Sequence, residues 1–211
     1  MRVVLLALLV VAPMLGCSEK SGDRSSPGSG SSHKQDFQKE QARFDAERRP
    51  EKVVEALKIA PGSRVADIGA GSGLLTIHLA RAVAPNGKVV ATDVDGAVLE
   101  TLLAARMQAA GLADVVERRV VDADRPGLDK EEGHYDAILL AEVDHYFQDP
   151  VTWLRTASKA LKPTGRIVIS NRVHHRAKTM AAANKAGLAV EIESTPVPTH
   201  FVASFVIGGS K

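Results

Sequence analysis

The chain has 211 residues, of which 45% are hydrophobic and 4% aromatic, with a net charge of +2. That length gives room for one domain with a sizeable core, and near-balanced charge with few aromatics leaves no support for a nucleic-acid surface built on bulk electrostatics or base stacking. The only cysteine is Cys17, which excludes an intrachain disulfide and a thiol-rich metal centre.

Met1 and Arg2 precede an unbroken apolar run from Val3 to Val11, extended through Leu15. A permanent bilayer-spanning helix needs about 20 apolar residues, so this shorter run reads as the hydrophobic part of a secretory signal. It ends in Met14-Leu15-Gly16-Cys17, which resembles a bacterial lipoprotein cleavage site, with Met14 where leucine is commoner. The resemblance implies a signal peptide over residues 1–16, lipidation of Cys17, and a membrane-anchored protein on the periplasmic face or cell surface. A simple membrane anchor, or an ordinary signal with a chance cysteine, is the alternative; a segment that is not a working signal would leave the protein cytoplasmic. Within residues 17–35, the fifteen from Ser18 to Ser32 are dominated by serine and glycine. They read as a flexible tether reaching roughly 20 Å by random-coil scaling, followed by one domain over residues 36–211.

Beyond the tether, residues 36–44 predict a short helix with Phe37 and Phe44 on one face. Pro50 starts the next helix, with Val53, Val54 and Leu57 inward. Ala60-Pro61-Gly62 turns into a first strand carrying Val65, Ala66 and Ile68. That strand breaks into Gly69-Ala70-Gly71-Ser72-Gly73, followed by helical spacing from Leu74 to Val83. Strand, glycine turn and helix form a nucleotide-binding βα unit, in which the glycines let a ligand approach the backbone. A second strand, residues 88–92, ends at Asp93, whose carboxylate is placed to accept from two ribose hydroxyls. Dinucleotide binders carry a third glycine where this chain has Leu74, and Asp67 puts a carboxylate where a pyrophosphate would fit badly and an ammonium group well.

Asp67 to Gly73 therefore resemble the first motif of the class I S-adenosylmethionine-dependent methyltransferases, an acidic residue followed by G-x-G-x-G. The resemblance, which covers residues 45–207, implies an α/β, Rossmann-like fold: seven mostly parallel strands, helices on both faces, and an antiparallel last strand. In order, helix 96–110 has Val98, Leu99, Leu102, Leu103 and Met107 inward, and strand 115–121 runs into Asp122-Ala123-Asp124. Strand 135–141 leads into Glu142-Val143-Asp144-His145-Tyr146. A helix over 151–161, a strand over 166–170, a helix over 176–186 and strands over 188–194 and 201–207 follow, the last two joined by a hairpin loop at 195–199.

What the resemblance implies for the site is cofactor binding by Asp67, Gly69, Ala70, Gly71, Gly73, Asp93, Asp122, Ala123 and Ala141, with S-adenosyl-L-methionine as cofactor. Asp122 is expected at the adenine amino group, with Asp124 the poorer partner. An N-terminal helix is expected either over the cofactor pocket or on the core edge. His145, with its near-neutral reference pKa, is the candidate base for an acceptor that must lose a proton; shaping the pocket is its other reading. His174 and His175 have no partners at metal-ligand spacing, so no metal is expected. The partners expected are an unidentified small-molecule acceptor and a membrane through Cys17, with no nucleic acid. Two readings stay open: a methyltransferase, or a non-catalytic membrane-tethered lipoprotein that keeps the fold. A nicotinamide-dependent oxidoreductase is disfavoured by Leu74.

Overall fold

The computed structural model describes residues 29–128 and 130–208. The proposed signal peptide and Cys17 lie outside the described residues, and no described helix is long and apolar enough to cross a membrane. Helix α1 (Ser29–Arg48) is followed by α2 (Pro50–Leu57), β1 (Arg64–Ile68), α3 (Thr76–Val83) and β2 (Lys88–Asp93). The chain continues through α4 (Gly96–Val98), a π turn (Leu99–Leu103), α5 (Ala104–Ala110), β3 (Val116–Val120) and β4 (Tyr135–Ala141). It ends with α6 (Pro150–Lys159), β5 (Leu161–Arg172), α7 (Arg176–Lys185), β6 (Leu188–Val197) and β7 (His200–Ile207). The seven strands lie in the order β3-β2-β1-β4-β5-β7-β6. All neighbours from β3 to β5 pair parallel, and β7 runs antiparallel to both β5 and β6.

Alternation along the central strands sends side chains to two cores, one on each face. Ala66, Ile68, Ile138 and Leu140 pack with Trp153, Leu154 and Ala157 of α6 and with Ala182 and Ala183 of α7. Val65, Ala137 and Leu139 face the other way, onto α2, α3 and α5. Helix starts follow local chemistry. Pro50 occupies the first turn of α2, and Asp149 caps α6 by accepting from the Thr152 N–H at 3.0 Å.

Three elements depart from the sequence expectations. Helix α1 begins at Ser29, inside the stretch assigned to the tether, because a formed helix extends at one hydrogen bond per residue even through poor formers. Leu102, expected inward, is 47% exposed. The π turn widens the helix there, so Leu99, Leu103 and Met107, four residues apart, form its apolar buried face. The 195–199 loop shrinks, since β6 runs to Val197 and pairs with His200 across Pro198-Thr199.

Candidate functional site

The site lies at the carboxyl ends of β1, β2 and β4, where strand order turns outward from β1. The turn after β1 is fastened from below: the Gly69 and Ala70 N–H groups both donate to the Thr92 carbonyl, at 2.8 and 2.9 Å. The three motif glycines all have positive φ but do different things. A Cβ on Gly69 would stand 2.3 Å from Val143, so its absence lets the β4 loop close over the turn. At Gly73 a Cβ would meet Leu103 at 3.0 Å, which makes that glycine a packing position against the π turn. Only Gly71 faces open space, with nothing within 4 Å of a built Cβ.

Two cavities adjoin at Gly69. The larger, about 320 Å³, has an apolar wall from Ile68, Val121, Val143 and Phe147, with Asp93 and Asp122 among its polar lining. Ala123 lines it as well, whereas Asp124 does not and instead accepts from the Gln148 N–H at 3.0 Å. The smaller, about 180 Å³, is lined by Asp67, Ala70, Gly71, Ala141 and Glu142, and by Phe44 and Arg48 from α1. Helix α1 is held across the turn: Gln41 donates to the Leu74 carbonyl, Asp45 pairs with His78, and the buried Arg106 joins Glu40 to the Ser72 carbonyl. Gly73 lines neither cavity.

The acidic residues carry unequal loads. Asp93 accepts from the Gly71 N–H at 2.8 Å and the Asp95 N–H at 3.0 Å, one on each oxygen. A carboxylate offers about four acceptor positions, so about two remain for a ligand diol. Asp67 is only 2% exposed and accepts from the Thr76 hydroxyl at 2.7 Å. Burial, aided by the nearby Asp93 charge and opposed by Thr76, pushes its carboxyl up to about 6.

Glu142, next to the end of β4, has a left-handed backbone with φ 57, uncommon for a side-chain-bearing residue. Its carboxylate joins Arg48 at 2.6 Å, His200 at 3.0 Å and Arg172 at 3.2 Å. Burial raises its pKa, but His200, Arg48 and Arg172 together win and hold it at about 2. A third cavity of about 350 Å³ opens beyond Glu142, lined also by His145, Tyr146, Arg172, His174 and His175. His145 sits at one edge of a buried polar chain: Asn171 donates to Asp144 and approaches the His145 Nδ1 at 3.0 Å, and Asp144 also accepts from Thr179.

The structure therefore brings Asp67, Gly69, Ala70, Gly71, Asp93, Asp122, Ala123 and Ala141 onto two joined cavities, and His145 onto a third. Sequence reasoning missed Arg48, Arg172 and His200. They come from α1, β5 and β7, far from the glycine turn in sequence, and no local pattern marks them. Phe44 had a signal in its seven-residue spacing from Phe37.

A family model described as a methyltransferase domain matches residues 66–167. A ubiquinone/menaquinone biosynthesis C-methyltransferase, UbiE, of Ectopseudomonas mendocina is 32% identical over 117 residues, covering 56% of this chain and 44% of that enzyme. The chain thus spans less than half the length of that curated relative. A SAM-dependent methyltransferase from Aquifex aeolicus superposes with a TM-score of 0.70 at 21% identity, covering 82% of this chain and 98% of that one. The [4+2]-cyclase SpnF superposes with a TM-score of 0.61 at 19% identity, covering 71% and 60%. The architecture is the one seen in a solved S-adenosylmethionine-dependent methyltransferase, and residues 66–167 match a methyltransferase-domain model. A cyclase on the same fold illustrates that fold alone does not set the reaction.

Proposed function

We propose that the chain is an S-adenosylmethionine-dependent methyltransferase acting on a small-molecule acceptor. The observation that carries this reading is the pair of cavities meeting at Gly69, because their chemistry divides as the cofactor does. The larger, apolar cavity suits adenosine, with the free acceptor positions of Asp93 toward the ribose diol and Asp122-Ala123 toward the adenine amino group. The smaller suits the methionyl end, with Asp67 toward its ammonium group and Arg48 toward its carboxylate. Gly71 leaves the open space a ligand would fill. S-adenosylmethionine supplies an already activated methyl group on a sulfonium. The chain's own task is then to bind, orient and exclude water.

A second reading is favoured by one observation, the Gly16-Cys17 leader. A lipid anchor at Cys17 would hold the domain outside the cytoplasm, where S-adenosylmethionine is made, and the fold would then serve as a tethered module without turnover. Calorimetric titration of S-adenosylmethionine and S-adenosylhomocysteine into the full chain separates the two. Binding near micromolar, about 8 kcal/mol, is expected for the enzyme. Silence at millimolar ligand would sink that reading and leave the tethered module.

A further inference from the structure

Resting on the methyltransferase reading, we propose that the third cavity is the acceptor subsite and that it selects a small acidic acceptor, one carrying a carboxylate or phosphate group. The location follows from shared walls. Glu142 borders this cavity and the methionyl one, and Tyr146 borders this cavity and the adenosyl one. An acceptor here would lie against both halves of the cofactor. None of the six lining side chains is aliphatic. An isoprenoid or other lipid-like acceptor would find little apolar surface beyond the aromatic rings, and burial of such surface drives its binding at roughly 25 cal/mol per Å².

The charge balance favours an anion. Among the described residues Glu142 is the one carboxylate lining the cavity, and Arg48, Arg172 and His200 already surround it. Arg172 is the fixed positive charge that lines this cavity, and the Glu142 charge opposite it is already shared with Arg48 and His200 from outside the cavity. Arg172 uses only its Nε on Glu142, its side chain is 63% exposed, and its two terminal amino groups bond to none of the described residues. A guanidinium with its fork free matches a carboxylate or phosphate in two-point geometry. Four rings extend this wall: His174, His175, His145 and Tyr146 follow one another with centroids 4.0, 4.3 and 4.0 Å apart.

His145 fits the same role through its tautomer. The Asn171 side chain is oriented by its neighbours, its oxygen accepting from the Arg172 N–H at 2.7 Å and its amino group donating to Asp144. That amino group is therefore what meets the His145 Nδ1, which must accept. Neutral His145 then carries its proton on Nε2 and presents a donor rather than a lone pair. This argues against His145 as the proton-abstracting base and for its holding an oxyanion of the acceptor.

The test uses the full chain saturated with S-adenosylhomocysteine, titrated in a calorimeter with malonate, with inorganic phosphate, and with uncharged malonamide. Malonate or phosphate should bind in the millimolar range, and the stronger of the two names the acidic group. Malonamide should be silent. Arg172→Gln should weaken the anion by at least about tenfold, the loss of a charge-assisted hydrogen bond, and leave S-adenosylhomocysteine binding within about twofold. His145→Gln should weaken it by a smaller factor. Anion binding that is unchanged in Arg172→Gln, or matched by malonamide, overturns the inference, as does no anion heat in protein that binds S-adenosylhomocysteine. Silence toward S-adenosylhomocysteine itself would instead strike the methyltransferase reading, and with it the assignment of the cavity to an acceptor.

Discussion

Strand β4 has a glutamate near each end, and both carboxyls are held at about 2. Glu131, before the strand, receives Arg119 at 2.6 Å, Arg64 at 2.5 Å and the Tyr135 hydroxyl at 2.5 Å. The Arg119 hydrogen bond is the largest cause of its lowered pKa and outweighs burial. All three partners sit on strands, so Glu131 clasps β1, β3 and β4 at the end away from the site. Glu142, after the strand, is built from similar ionic parts but differs in two respects. Its partners come from α1, β5 and β7, and its own backbone is left-handed. Strain of that kind, with cavities on two sides, marks the glutamate that serves a site, as against the one that serves the sheet. A lowered pKa alone does not tell the two apart.

The sharpest break of the site end is Asp93→Ala. It removes the acceptor for the Gly71 N–H and the one proposed for the ribose diol. S-adenosylhomocysteine affinity should fall by about a hundredfold or more, near 3 kcal/mol. An Asp93→Ala protein that binds as tightly as the parent would void the site map. At the sheet end, Glu131→Ala leaves Arg64 and Arg119 with Glu117 alone, held at 2.7 Å by Arg119 and only 3.9 Å from Arg64. We expect a loss of about 2–3 kcal/mol, read as a Tm lower by several degrees, with ligand affinity unchanged. The mirror experiment is Glu142→Gly. Glycine relieves the left-handed strain by about 1 kcal/mol, offsetting the lost ion pairs, so Tm should hold. Arg48 loses the group that fixes it across the methionyl cavity, and affinity should fall about tenfold. If instead Glu142→Gly unfolds the protein and leaves affinity intact, the contrast between the two glutamates collapses.

Most of the frame was legible because it is written in local patterns. Short continuous apolar runs gave β1, β2 and β4 nearly to the residue, and the prolines between β6 and β7 pointed to a hairpin and hence to an antiparallel last strand. The residues that line the two joined cavities were legible for the same reason, since Asp67 to Gly71 are contiguous and Asp93, Asp122 and Ala141 end or follow strands. What stayed hidden depends on tertiary contact. Leu102 reads as core until the π turn shifts it outward. Gly73 reads as a ligand glycine until Leu103 is seen where its Cβ would be. Arg48 and Arg172, 124 residues apart, acquire meaning only by meeting at Glu142.

The smallest expected effect separates the site from the sheet by the direction of a pH response. Glu131 and Glu142 have lowered pKa values, so the stability they contribute is present above about 4.5 and is lost as pH falls toward 2. Asp67 is raised from 3.8 to about 6, so its contribution runs the other way: present below 3.8, and lost as pH rises through 6. The folded protein thus resists ionising Asp67, and a bound ammonium group would relieve that resistance. Protons and the ligand's ammonium compete for one carboxylate, so affinity for S-adenosylhomocysteine should climb as pH rises through 6 and level off above 7. At pH 5.5 it should be roughly fourfold weaker than on the plateau. Thr76→Val isolates Asp67 as the cause, because Thr76 is the hydrogen bond that lowers its pKa. Without it the midpoint of the affinity curve should move above 6. A curve flat from pH 5 to 7.5, or a midpoint indifferent to Thr76→Val, would mean that Asp67 is a buried part of the turn and not the ligand's counter-charge.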